Sequence, residues 1–216
     1  SVAKLALDAD GDVVKLGEMP FPGTGHSVSA ELTDAIAKIG ENMNLRRTQT
    51  VEVSDGVVES YVHNAVKPGL GKIGILVALE STGDKAALSA LGKQLAMHIA
   101  AAQPQAISPD ELDQDVVARE RSIIIEQVKE SGKSAEIAGK KVDGRLRKYY
   151  EEVTLPAQTF VIDGETKDVD AIKNAEKDAG APIKLTKFVR YALGEGIEKV
   201  ETDFAAEVAA TAGVKA

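Results

Sequence analysis

Residues 73–79, IGILVAL, constrain the fold more than any other stretch. The run is nearly continuously apolar, which marks a β-strand in the middle of its sheet rather than at a wet edge. A small antiparallel sheet around such a strand needs a helix on one face to be stable. The flanking sequence supplies both. Val51 and Val53 lead into Asp55-Gly56, a two-residue hairpin signal. Residues 57–63 return as a partner strand, with Val58 and Val62 on one face and Tyr61 and His63 on the other. Residues 68–72, PGLGK, make a turn. Asp84 then caps a helix whose stripe is Leu88, Leu91, Leu95, His98 and Ala102, and Gln103-Pro104 ends it. The expected fold class is α+β, a small antiparallel sheet packed with helices.

A different pattern interrupts this body. Ser108-Pro-Asp-Glu111 reads as a helix start with a capping box and proline at the first position. Val116, Val117, Ile123, Ile124 and Val128 give a narrow apolar flank among charges. Residues 131–134, SGKS, turn the chain, and Ala138, Val142, Leu146 and Tyr149 repeat the helical spacing. Two such helices around a short turn make a projecting antiparallel hairpin. Mixed structure then resumes: a short strand at 160–162, a weak helix over 168–178 on Val169 and Ile172, and a strand at 188–193. Gly194-Glu-Gly196 breaks the chain like a hinge. A final helix carries Ile197, Val200, Phe204 and Val208.

At the other end, residues 1–10 read as a helix end stopped by Gly11, followed by a Pro/Gly loop over 20–25. Leu32, Ile36 and Ile39 then mark one face of a helix that Ser27 or Ser29 can cap and Gly40 can close. Glu41 and Asn42 follow, exposed beside the pair Arg46 and Arg47, which by physics alone is a solvated charge cluster after a helix cap.

Composition narrows the function. The 216 residues carry a net charge of −8, so a basic face for direct nucleic-acid binding is not expected. Cysteine is absent, which removes thiolate chemistry and fits a reducing cytoplasm. No apolar run approaches a bilayer span and no signal-peptide pattern opens the chain, so neither a membrane partner nor export is expected. The start at Ser1 reads as a processed or truncated N-terminus. Gly25-His26-Ser27-Val28-Ser29 lacks the last glycine and the preceding strand of a nucleophile elbow. Gly132-Lys133-Ser134 ends like a phosphate loop, but Gln127 stands where its first glycine belongs. No two of His26, His63 and His98 share a helix face, so no zinc site is expected, and His98 reads as a satisfied core histidine. Glu151-Glu152 and Glu195/Glu198 read as solvated acids. No cofactor and no enzyme chemistry is expected; a protein partner is.

Five ordered blocks add a family resemblance: IGENMNLRR at 39–47, SYVH at 60–63 with GKIGILV at 71–77, LAMHIAAAQP at 95–104, GRLRKYYEEV at 144–153 and GEGIEKVETDF at 194–204. Together they resemble the bacterial-type elongation factor Ts family across nearly the whole chain. The family's small N-terminal domain and its early Thr-Asp-Phe-Val segment have no counterpart. The resemblance implies a guanine nucleotide exchange factor that promotes GDP release from elongation factor Tu so that GTP can bind. It acts by protein–protein binding in the cytoplasm. The alternative is a partner-binding or dimerisation module without exchange activity, because that early segment wedges against the partner. The implied layout is 1–53, the remainder of an N-terminal core subdomain; 54–107 with 151–195, a C-terminal core subdomain; 108–150, a coiled-coil-like hairpin; and 196–216, a C-terminal helical module. The implied partner-binding residues are Ile39, His63, Val200 and Phe204, and a homodimer would use the core or the hairpin.

Overall fold

The computed structural model describes residues 1–130 and 135–197. Its body is a three-stranded antiparallel sheet with β2 (Ile73–Glu80) between β1 (Gly56–His63) and β3 (Lys184–Ala192). The central place of the 73–79 run is therefore as its composition requires. β1 pairs with β2 from Gly56↔Glu80 to His63↔Ile73, and β3 continues the same rows, with Val77 beside Phe188 and Ile73 beside Ala192. Ile75, Val77 and Leu79 point to one face and are buried there by helix α4 (Lys85–Ala102). Val57 and Tyr61 line that face on β1, whereas Val58 faces away and is partly exposed.

α4 begins where expected, with Asp84 Oδ1 accepting from the Ala87 N–H at 2.8 Å. Leu88, Leu91, Leu95, His98 and Ile99 are all buried. A Cβ on Gly92 would fall 2.7 Å from Glu59 Cγ, so this glycine allows α4 to lie close against β1. Helix α7 (Asp168–Ala179) packs on α4 through Ile172 and Ala179, completing one continuous core with Leu155, Phe160 and Ile183. Fully burying a leucine of this kind contributes roughly 1.5–3 kcal/mol.

The chain upstream forms three helices: α1 (Val2–Ala9), α2 (Val13–Glu18) and α3 (Val28–Ile39). Ala9, Leu16, Gly17 and Val28 are their buried residues. α2 lies between Gly11 and the 20–25 loop, where no element is expected from the sequence pattern; its start is legible in Asp12, whose Oδ1 accepts from Val14 N and Lys15 N. Ser27, not Ser29, caps α3, accepting from Ala30 N at 3.1 Å, and Gly40 closes it at φ 78°.

The hairpin consists of α5 (Gln114–Glu130) and α6 (Ala135–Val153). Ile124, Val128 and Val142 form its outer seam. Ala106, Leu112 and Val117 form the inner one, with Leu146, Tyr149, Tyr150 and Val153 packed against them. Arg145 Nη1 donates to Gln127 Oε1 at 2.7 Å across the pair. At the root, Gln105 N donates to Val153 O and Leu155 N to Ala106 O, so the insertion leaves and rejoins the body at one point. The expected turn at 131–134 lies outside the described residues.

Four expectations are corrected. Val51 and Val53 are not a strand, and Asp55-Gly56 is not a hairpin turn. Asp55 instead latches onto α4, pairing with Lys85 and accepting from Ser81 N through its carbonyl. Gly56 stands where a Cβ would meet Leu79 O at 1.9 Å, so a close approach and not a turn demands glycine there. The Ser108 start signal yields only a single 3₁₀ turn, Pro109–Glu111, without a side-chain cap from Ser108. Leu112 is buried immediately after it, and Asp113 Oδ1 then caps α5 through Asp115 N. Residues 160–162 are a tight loop, closed by Phe160 N→Thr166 O at 2.7 Å, because the chain must reverse into α7. Val169 points to solvent, and the buried partner of Ile172 at that helix start is Asp168.

Candidate functional site

α3 ends in an exposed apolar residue. Leu32 and Ile36 are half-buried, but Ile39, the last residue of the helix, is 60% exposed. After Gly40 the chain carries no regular secondary structure until β1. Residues 44–47 run to the end of the sheet where His63, Ile73 and Ala192 stand in register. There a cleft of about 320 Å³ is lined by Leu45, Arg47, Lys72, Tyr191 and Gly194, among others.

The arginines are not a free solvated pair. Arg46 Nη1 donates to the Glu195 carbonyl at 2.6 Å, and Arg47 Nη2 donates to Glu195 Oε2 at 3.2 Å. Arg190 Nη1 donates to Oε1 of the same carboxylate at 2.7 Å. The Arg47 guanidinium carbon sits 4.5 Å from the centre of the Tyr191 ring, within cation–π range. Partial burial alone would raise the Glu195 pKa. The hydrogen bonds from Arg47 and Arg190 outweigh it and hold the carboxyl below its ordinary value. Glu195 is thus a structural anion, a role hidden from sequence because two of its three arginine partners, Arg46 and Arg47, lie 149 and 148 residues upstream.

His63 is exposed at the end of β1, with Nδ1 3.1 Å from the Tyr61 hydroxyl. Its carbonyl accepts from Lys72 N, and Lys72 O accepts from Leu193 N at 2.8 Å. Leu193 itself is 84% exposed. His63 therefore stands at a partly apolar, partly basic end of the sheet, to which residues 44–47 of the segment leaving α3 also run. Val200 and Phe204 lie outside the described residues.

His98 is a satisfied core histidine, as expected. Gln158 Oε1 lies 2.9 Å from Nε2, and Val161 N donates to Nδ1 at 3.2 Å. Asp168 Oδ2 is also 2.9 Å from Nε2, yet neither of its oxygens receives a well-aligned hydrogen bond. Burial therefore raises the Asp168 pKa, with His98 only partly offsetting it. Burial also opposes a charge on His98, although the Asp168 and Gln158 acceptors raise its pKa. With Nδ1 bonded to the Val161 N–H and Nε2 facing Gln158 and Asp168, His98 ties α4 to α7 and to the 158–161 segment.

His26, Glu31 and Asp34 gather within 4.8 Å at the start of α3, a grouping missed by looking only for paired histidines. His26 Nδ1 is 3.9 Å from Glu31 Oε2 and 3.7 Å from Asp34 Oδ2, and all three groups meet solvent. The hydrolase-like serine Ser27 is the α3 cap. No helix among the described residues is long and apolar enough to cross a membrane.

A family model described as Elongation factor TS matches residues 1–195. The chain belongs to the elongation factor Ts family. It is 56% identical over 212 residues to the elongation factor Ts of Rhodospirillum centenum, covering 98% of this chain and 69% of that protein. It is 58% identical over 211 residues to that of Rhodospirillum rubrum, covering 97% and 68%. It is 55% identical over 215 residues to that of Paramagnetospirillum magneticum, covering 100% and 69%. Membership in the elongation factor Ts family makes this a translation-factor chain. Residues 44–47 of the first block, His63 of the second and residues 194–195 of the last one meet at one end of the sheet.

Proposed function

We propose that the chain is a guanine nucleotide exchange factor for elongation factor Tu, working in the cytoplasm. The observation that carries the reading is the exposed Ile39 at the C-cap of α3. Ile39 leaves 60% of its surface in solvent at the last turn of α3, and it falls in the IGENMNLRR block that resembles the family. His63, exposed at the neighbouring sheet end, is the second contact. Val200 and Phe204 are the remaining proposed contacts. Residues 1–53, 54–107 with 151–195, 108–150 and 196–216 then serve as the remainder of an N-terminal core subdomain, a C-terminal core subdomain, a hairpin and a C-terminal module.

The mechanism is binding linkage, without bond making. A factor that holds nucleotide-free partner more tightly than GDP-bound partner weakens GDP by the same factor. Each tenfold of that coupling is about 1.4 kcal/mol. GTP then fills the emptied site, and the factor itself needs neither metal nor nucleotide for this.

The test is release of labelled GDP from elongation factor Tu on addition of this chain. Acceleration that saturates with the chain is expected. Binding without acceleration would favour a partner-binding module instead, for which the half-exposed Ile123 on the outer face of α5 offers a second surface, including one for another copy of the chain. Neither binding nor acceleration would end both readings.

A further inference from the structure

The paired arginines of the 39–47 block turn toward the molecule's own last turn. Arg46 holds the backbone carbonyl of Glu195, while Arg47 and Arg190 hold one carboxylate oxygen each. The Arg46 Nη2 atom also lies 3.7 Å from where a Cβ on Gly196 would be, so the guanidinium sits closely on the 194–196 turn. Arg47 stacks on Tyr191, which is in the last pairs of β3. The clamp therefore joins the segment leaving α3 to the sheet end that carries His63.

We infer that Arg46 and Arg47 are positioning residues: through Glu195 they hold Ile39 and His63 in one fixed relation, so that both can meet the partner at once. This rests on the exchange reading above. The physical argument is effective concentration. Once one contact is made, the second is intramolecular, and its probability depends on how narrowly the two are held relative to each other. A loosened clamp leaves the first contact intact and lowers the fraction of complexes that make the second. The loss should therefore fall on the maximal rate of GDP release rather than on the half-saturating concentration. Arg47 and Glu195 are each about two-fifths exposed, so the clamp should also weaken with salt.

Two measurements on the full chain test this. The first exploits the absence of cysteine. Lys38→Cys and Lys67→Cys, both exposed positions, take spin labels, and electron–electron distance distributions are recorded with Glu195 and with Glu195→Gln. A narrow distribution that broadens with Glu195→Gln is expected; an unchanged one overturns the clamp. The second is GDP release by Glu195→Gln, by Arg46→Ala/Arg47→Ala, and by the triple variant. Each should lower the maximal rate about three- to tenfold with the half-saturating concentration nearly unchanged, and the triple variant should be no worse than the double. A silent Glu195→Gln, or losses that multiply in the triple variant, would mean the arginines touch the partner themselves and would overturn the inference. If the unmutated chain fails to release GDP, the exchange reading falls, and the distance measurement alone still decides the clamp.

Discussion

Leu95 on α4 and Ile124 on α5 are both buried helix residues, but different amounts of structure bury them. Leu95 is closed over by the sheet below and by α7 and the 155–160 segment around it, and its relative exposure is 0%. Among the described residues, Ile124 packs in a two-helix seam whose other buried members are Val128 and Val142. The body is layered and its apolar side chains have neighbours in every direction. The hairpin is two helices thick and its other faces are charged. Equal apolar residues should therefore contribute unequally, and the energy of the hairpin should be local.

Leu95→Ala is the largest expected effect. A leucine removed from a site that cannot collapse costs about 2–5 kcal/mol, and this one should fall in the upper half of that range. Urea unfolding, read by circular dichroism, checks it. Ile124→Ala should cost less, about 2 kcal/mol, because the remaining seam can close partly over the gap. Hydrogen exchange sharpens the contrast. Amides of α5 and α6 should lose protection in this variant while those of β2 and α4 keep theirs. Equal loss throughout would show that hairpin and body unfold as one unit.

The same contrast explains which elements could be read in advance. The 73–79 strand, the α4 stripe and the hairpin follow from hydrophobic period alone, because burial there is set by local pattern. The errors lie where a distant contact decides. Asp55-Gly56 has the composition of a hairpin turn, but Lys85 and Leu79 claim it. The capping signal at Ser108 is sound locally, yet burial of Leu112 stops the turn after three residues. At the candidate site Ile39 and His63 are proposed from the resemblance alone. The bonds of Glu195 to arginines on two other segments were not legible, since nothing in local sequence distinguishes a clamped acid from a solvated one.

Asp168 gives a smaller, pH-dependent effect inside the body. Its pKa is raised by burial, so the folded chain holds that proton more tightly than the unfolded chain does. The contribution is complete below the ordinary carboxylate value and is lost as pH rises through the folded one. Asp168→Asn replaces the carboxylate with a neutral group of the same shape. Relative to the parent, its stability should improve as pH climbs from the carboxylate range toward neutrality. Parallel stability–pH curves for the two proteins would show that the carboxyl does not titrate as its burial demands.

Ile39→Ala is expected to have the smallest effect on stability and the most informative one. Ile39 is an isoleucine like Ile124, yet 60% of it lies in solvent, so little transfer energy is at stake. Alanine is also the better helix former, which offsets part of what remains. The change should stay within about half a kcal/mol in urea unfolding. On the exchange reading the same substitution should slow GDP release several-fold, because the methyl and ethyl groups find their apolar neighbours only in the partner. A residue whose removal is silent for folding but costly for release is a contact residue; one costly for folding would belong with Leu95 and Ile124. Ile39→Ala therefore separates a surface kept for a partner from a core that happens to be open.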